Sequence, residues 1–298
     1  MDSDIIFEGI GVAITTPLTN DEVDYAAFRK HIEYLIDNNV QAIIVNGTTG
    51  ESPTLSSDEA RELLKVGVDT VAGRVPVIAG TGTNSTRASI ELSKYAAEIG
   101  ADALMLITPY YNKSNQSGLY QHFTKIADST ELPVVLYNVP GRTGMTIEPD
   151  TVAELSSHPR IVALKDAVGD LEYTKEVLEL TSDQNFILYS GNDDNMHDFC
   201  QLGGKGLISV VGNIIPGELQ EVYEGIKNGS GDSQEKFDAL MPMIEAVQVD
   251  VNPIPVKAMT SELGFGNYEL RLPLVPLEEA ALNEVIQTMR KFKEGSFV

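Results

Sequence analysis

The chain has 298 residues, 42% of them hydrophobic, with 44 acidic against 21 basic side chains and a net charge of -23. That length suits one large α/β barrel or two ordinary domains, and the acidity excludes nucleic acid and anionic membrane surfaces as partners, since either polyanion would be repelled. A single cysteine, Cys200, excludes an intramolecular disulfide and fits a reducing, cytoplasmic setting.

Met1-Asp2-Ser3-Asp4 lacks the basic stretch of a secretory signal, and no apolar run approaches the length of a membrane span. Short β-rich runs then recur at 11–15, 42–46, 75–79, 103–108, 134–138, 161–165, 186–190 and 206–210. Amphipathic stretches lie between them, such as Phe28, Ile32, Leu35 and Ile36, or Ile90, Leu92, Tyr95, Ala96 and Ile99. Ser56-Ser57-Asp58-Glu59 and Glu148-Pro149-Asp150 read as helix starts. Eight strand-like runs alternating with helices predict a (β/α)8 TIM barrel over residues 1–228. From Gly217 the pattern is helical only, at 217–227, 233–249, 253–263 and 276–293, punctuated by Val251-Asn252-Pro253-Ile254-Pro255 and Leu272-Pro273-Leu274-Val275-Pro276. The first of these helices closes the barrel; residues 229–298 form a small C-terminal all-helical domain.

In such a barrel the chemistry sits on the loops that follow the strands. Those loops are rich in polar and glycine residues: Gly47-Thr48-Thr49-Gly50-Glu51, Thr108-Pro109-Tyr110-Tyr111-Asn112, Tyr137 to Gly144, Lys165-Asp166, Ser190 to Asp194, and Ile208-Ser209. Glycines around Thr48 and Thr49 let backbone N–H groups and hydroxyls converge on an anion. Lys165 ends the apolar run Ile161-Val162-Ala163-Leu164. Burial there disfavours an ammonium relative to the free amine, the form that attacks a carbonyl carbon. A lysine that snorkels to water is the plainer alternative, and the company at the other strand ends separates the two.

Several features are set aside. Asp193-Asp194 resembles half of a metal site without a third ligand, and helix capping accounts for it better. The four histidines (His31, His122, His158, His197) have no ligand spacing. The run from Gly80 to Ser85 lacks the setting of a dinucleotide loop, and Gly203-Gly204-Lys205-Gly206 precedes its strand and so lies on the stability face.

Taken together, Gly47-Thr48-Thr49-Gly50-Glu51, Tyr110-Tyr111-Asn112, Tyr137-Asn138-Val139-Pro140-Gly141-Arg142-Thr143-Gly144, Lys165, Gly191 and Asn252 to Lys257 closely resemble the dihydrodipicolinate synthase family, within the N-acetylneuraminate lyase superfamily of pyruvate-dependent class I aldolases. The resemblance runs nearly end to end, through Leu270-Arg271-Leu272-Pro273-Leu274. It implies condensation of pyruvate with aspartate-4-semialdehyde in lysine and diaminopimelate biosynthesis, with no metal and no organic cofactor. By the same resemblance Lys165 forms the imine, and Tyr137, Thr48 and Tyr111 form a proton relay. Tyr111 reaches the neighbouring subunit, so a dimer is the minimal unit and a tetramer the commoner state. Thr49, with Gly191 and Ile208, holds pyruvate, and Arg142 receives the carboxylate of the aldehyde substrate. A pyruvate aldolase acting on a sugar acid or 2-oxo acid is the alternative; Thr48-Thr49 and Gly141-Arg142-Thr143-Gly144 favour the synthase.

In lysine-inhibited members an interface pocket uses an asparagine and a tyrosine, matched here by Asn84 and Tyr110. The carboxylate and histidines of that pocket are matched by Ala88, Ser57 and Ala60. Loss of the carboxylate removes the main partner of an ammonium-bearing effector, and weak or absent inhibition by lysine is the expectation.

Overall fold

The computed structural model describes residues 5–295. Eight parallel strands close into a barrel: β1 Gly9–Ala13, β2 Ala42–Val45, β3 Val77–Gly80, β4 Ala103–Ile107, β5 Val134–Asn138, β6 Ile161–Asp166, β7 Ile187–Ser190 and β8 Gly206–Ser209. Each strand pairs with its neighbours in chain order, and β8 returns to β1. All eight expected strands are present.

Alternation along each strand sorts side chains into two cores. Val12, Ile43, Val45, Leu104, Leu136, Leu164 and Leu188 point outward against the helices. Ala13, Ile44, Ile78, Met105, Val135, Ala163, Ile187 and Ile208 fill the interior. Both faces are therefore apolar, which is why these strands read as continuous hydrophobic runs. Parity also dictates that Tyr137, two residues beyond Val135, and Lys165, two beyond Ala163, turn into the barrel.

The bottom of the barrel is plugged. Phe7 enters ahead of β1 and stacks on Tyr189, ring centroids 4.2 Å apart and 3° from parallel. The Tyr189 hydroxyl donates to the Phe7 carbonyl at 2.8 Å. A Cβ on residue 11 would stand 2.8 Å from Phe7 Cζ, so β1 carries glycine there.

Helix Ser57–Val71 starts with the expected capping box, Ser56 and Glu59 each bonding the other's backbone N–H. Helix Pro149–Ser156 starts on Pro149. Helix Pro216–Lys227 packs on β1, and helix Ser233–Ala246 packs on it in turn. Helices Ile254–Glu262 and Glu279–Lys293 pair with each other.

One local expectation is corrected, and one element was not expected. The first strand begins at Gly9 instead of residue 11, because Gly9 pairs with Gly206 and a glycine pair leaves no hydrophobic mark. A two-stranded hairpin, Leu18–Thr19 with Glu22–Val23, follows it. Its turn residues Asn20 and Asp21 both have left-handed φ, 55° and 64°, a pairing suited to a tight hairpin turn.

Candidate active site

Lys165 sits at the C-terminal mouth of β6, 5% exposed. Its register partner on β5 is Tyr137, and Lys165 Nζ lies 4.3 Å from the Tyr137 ring centroid, within the range at which an aromatic face attracts a cation. The lysine stem has room because residue 191 is glycine: a Cβ there would stand 2.7 Å from Ala167 Cβ and 3.1 Å from Lys165 Cε. The Gly191 N–H donates to the Asp166 carbonyl at 2.7 Å, tying the β7 loop to the end of β6.

A cavity of about 180 Å³ opens above the lysine. Six of the expected residues line it: Thr48, Thr49, Tyr137, Arg142, Lys165 and Gly191. Thr48 and Thr49 ride on a single 3-10 turn, Thr48–Gly50, which the Thr16 hydroxyl holds by donating to the Gly50 carbonyl at 2.7 Å. The next residue, Glu51, takes left-handed φ of 54° and turns its carboxylate inward. There Lys257 Nζ meets Glu51 Oε1 at 2.5 Å, both side chains 2% exposed. Thr48 and Tyr137 share a second cavity of about 30 Å³, and no hydrogen bond joins their hydroxyls among the described residues.

Two expected residues stand apart from the cavity lining. Ile208 is wholly buried in the barrel interior, and its neighbour Val210 lines the cavity. Tyr111 lies outside, 93% exposed with φ of 70°, a backbone region that costs a bulky residue about 1–2 kcal/mol.

The structure adds residues that strand ends did not mark. Asn252 and Gln248 reach the cavity from the C-terminal helical segment. Asp193 also lines it, and accepts hydrogen bonds from Ser209 Oγ at 2.5 Å and from the N–H groups of Val210 and Val211 at 3.1 Å. Burial pushes the Asp193 carboxyl above its ordinary range, against those hydrogen bonds and the charge of Lys165. It thus anchors the turn after β8. Asp166, next to the lysine, is likewise pushed up by burial while accepting from Val168 N–H and Thr174 Oγ1. Among the described residues no cluster of His, Cys, Asp and Glu could hold a metal ion.

The expected effector residues meet at a neighbouring cavity of about 500 Å³. Tyr110, Ser57, Ala60 and Ala88 line it, and Asn84 Nδ2 donates to the Tyr110 carbonyl at 3.2 Å. One carboxylate, Glu91, does reach this cavity, alongside Arg61, whose guanidinium stacks 4.7 Å over the Tyr95 ring.

A plugged (β/α)8 barrel with a buried lysine and tyrosine under a hydroxyl-rich mouth has the architecture of a class I aldolase, in which lysine itself is the covalent catalyst. The chain belongs to the dihydrodipicolinate synthetase family, whose model matches residues 6–292. It is 56% identical over 290 residues to the 4-hydroxy-tetrahydrodipicolinate synthase of Staphylococcus haemolyticus, covering 97% of this chain and 98% of that protein. The dihydrodipicolinate synthase structure from Thermotoga maritima superposes with a TM-score of 0.94 at 40% identity, over 98% of this chain and 100% of that one. The enzyme of Cyanidioschyzon merolae, solved with lysine bound, gives 0.92 at 39% identity over 96% and 98%.

Proposed function

We infer that this chain condenses pyruvate with L-aspartate-4-semialdehyde to 4-hydroxy-tetrahydrodipicolinate, in lysine and diaminopimelate biosynthesis. Full-length membership of the family supports the reaction. The observation that carries the assignment of residues is the Lys165 amine beside the Tyr137 ring in the one cavity that also gathers Thr48, Thr49 and Arg142.

Lys165 attacks the pyruvate ketone, and loss of water leaves an imine. The protonated imine nitrogen withdraws electrons, so a methyl proton departs and an enamine forms; its carbon attacks the aldehyde. The imine is the electron sink, and the step calls for no organic cofactor. Thr49 binds the pyruvate carboxylate, with the backbone of Gly191 completing that side, while Ile208 is buried outside the cavity lining. Tyr137 and Thr48 move protons, each within reach of the same small cavity. Arg142, exposed at the rim, receives the carboxylate of the aldehyde substrate, a bidentate task suited to guanidinium.

Tyr111 completes the relay in the neighbouring subunit. Its ring, 93% exposed on a strained backbone, supports a role realised only against another chain, so a homodimer is the minimal active unit, and the tetramer, the commoner state in the family, is the expected assembly. The barrel, residues 1–228, carries the covalent chemistry, and the helical unit, 229–298, buttresses it. Cytoplasmic residence fits the lone cysteine, and no described helix is long and apolar enough to cross a membrane.

Borohydride reduction in the presence of pyruvate, followed by peptide mass spectrometry, tests the reading. A reduced pyruvyl adduct is expected on the Lys165 peptide and absent from Lys165→Ala. Unlabelled wild-type protein, or label elsewhere, would overturn the assignment.

A further inference from the structure

Asn252 belongs to the Asn252-Pro253-Ile254-Pro255 segment and touches both carboxylate-binding groups of the proposed site. Its Nδ2 donates to Thr49 Oγ1 at 3.1 Å, and its backbone carbonyl accepts from Arg142 Nη2 at 3.2 Å. Its Oδ1 is sealed from solvent without a hydrogen-bond partner among the described residues, so Thr49 is the single anchor of the amide. The contact with Asn252 is also the only hydrogen bond at the Thr49 hydroxyl among the described residues.

Direction matters here. A hydroxyl has one hydrogen to give and lone pairs to receive with. Because Thr49 receives from the Asn252 amide, its own hydrogen stays free for a carboxylate oxygen in the cavity. The reverse arrangement, with Thr49 donating to residue 252, would present the carboxylate with lone pairs alone.

We propose that Asn252 is a positioning residue that fixes the Thr49 hydroxyl as a hydrogen-bond donor to the pyruvate carboxylate. The inference rests on Thr49 being that ligand, as argued above. The helical unit therefore contributes to ground-state recognition of the keto acid from 203 residues away in sequence. The bond is made to bound pyruvate before and after the imine forms, so its loss falls on KM for pyruvate more than on kcat.

Four variants of the full-length protein test this in steady-state kinetics with pyruvate varied at saturating aldehyde. Asn252→Ala should raise the pyruvate KM about fivefold, the worth of one neutral hydrogen bond, with kcat within about twofold. Asn252→Asp keeps the shape but can only accept, forcing Thr49 to donate away from the substrate; its KM should rise further, by tenfold or more. A packing role would instead rank the isosteric Asn252→Asp nearer to wild type than Asn252→Ala. Thr49→Val should itself raise KM, and adding Asn252→Ala to it should change nothing more, because both act through one hydroxyl. Additive effects, an unchanged pyruvate KM in Asn252→Ala, or Asn252→Asp above Asn252→Ala in affinity would overturn the proposal. Borohydride labelling at saturating pyruvate should be retained in all four; its absence already in the wild type would instead sink the Lys165 reading, so the two failures are distinct.

Discussion

The buried ion pair Lys257–Glu51 sits directly under the turn that carries Thr48 and Thr49, and Lys257→Met tests how far that turn depends on the C-terminal helices. At 2.5 Å and an effective dielectric of about 20 the attraction is about 7 kcal/mol, much of it offset by the cost of desolvating both ions. Methionine fills the volume of the stem but leaves Glu51 with the Arg271 N–H, at 3.2 Å, as its remaining partner. An unpaired buried carboxylate costs about 3–5 kcal/mol, which for a chain of this size lowers Tm by roughly 6–15 °C. The double variant Glu51→Gln/Lys257→Met removes the orphaned charge and should recover most of that loss. Differential scanning calorimetry reads the stability, and the coupled synthase assay should show kcat/KM falling at least tenfold in the single variant as the threonines lose their support. A Tm within about 2 °C of wild type for Lys257→Met, or a double variant no more stable than the single, would refute the reasoning.

Gly191→Ala places a methyl 2.7 Å from Ala167 Cβ and 3.1 Å from the Lys165 stem; kcat should fall tenfold or more with a stability loss of about 1–3 kcal/mol, read by kinetics and denaturation. Tyr111→Ala should abolish turnover, because a ring 93% exposed on the single chain does its work only against a partner; mixing it with Lys165→Ala subunits should restore activity, and mixtures that stay inactive would contradict a shared site. Burial lowers His31 and His122 to about 4, so the folded state keeps both neutral while the unfolded chain takes up protons below about 6.5. Their contribution is present above pH 6.5 and lost as pH falls towards 4, roughly 3 kcal/mol each, and Tm should drop steadily across that window. Lysine below about 1 mM should leave steady-state turnover near its uninhibited rate, because position 88 is alanine and the ammonium lacks its close charged partner; strong inhibition would show that Glu91, which also lines that cavity, takes the missing role.

The barrel was legible because strands buried on both faces leave unbroken apolar runs such as Ile161 to Leu164, and because loops after strands must end those runs with polar or glycine residues. Tyr137 and Lys165 were both legible as strand-end residues, whereas their pairing across β5 and β6 is a matter of register that the apolar pattern does not give. The hairpin at Leu18–Thr19 was missed because its strands are two residues long, below any periodic signal, although Asn20-Asp21 carried the turn chemistry. Asn252 stood in the sequence only as part of the Asn252 to Lys257 segment of the resemblance, with no role of its own, and Gln248 was not marked, for another reason. They stand on no strand end, and their place at the cavity follows from how the helical unit docks, a long-range packing outcome that local pattern does not encode. Asp193 was read as a cap, and it does serve a turn, but the one after β8 instead of its own.

The stacked rings of Phe7 and Tyr189 fill the base of the barrel, opposite the mouth that holds Lys165. The cavity over Lys165 is lined by Arg142 and Asn252, so a molecule joined to the amine lies beside both. Lys165 is buried and Arg142 exposed, so the keto acid's covalent anchor lies deeper than the group proposed for the aldehyde's carboxylate, an arrangement suited to the keto acid being tethered first. The order of events thus follows depth in the fold as much as the chemistry at its mouth.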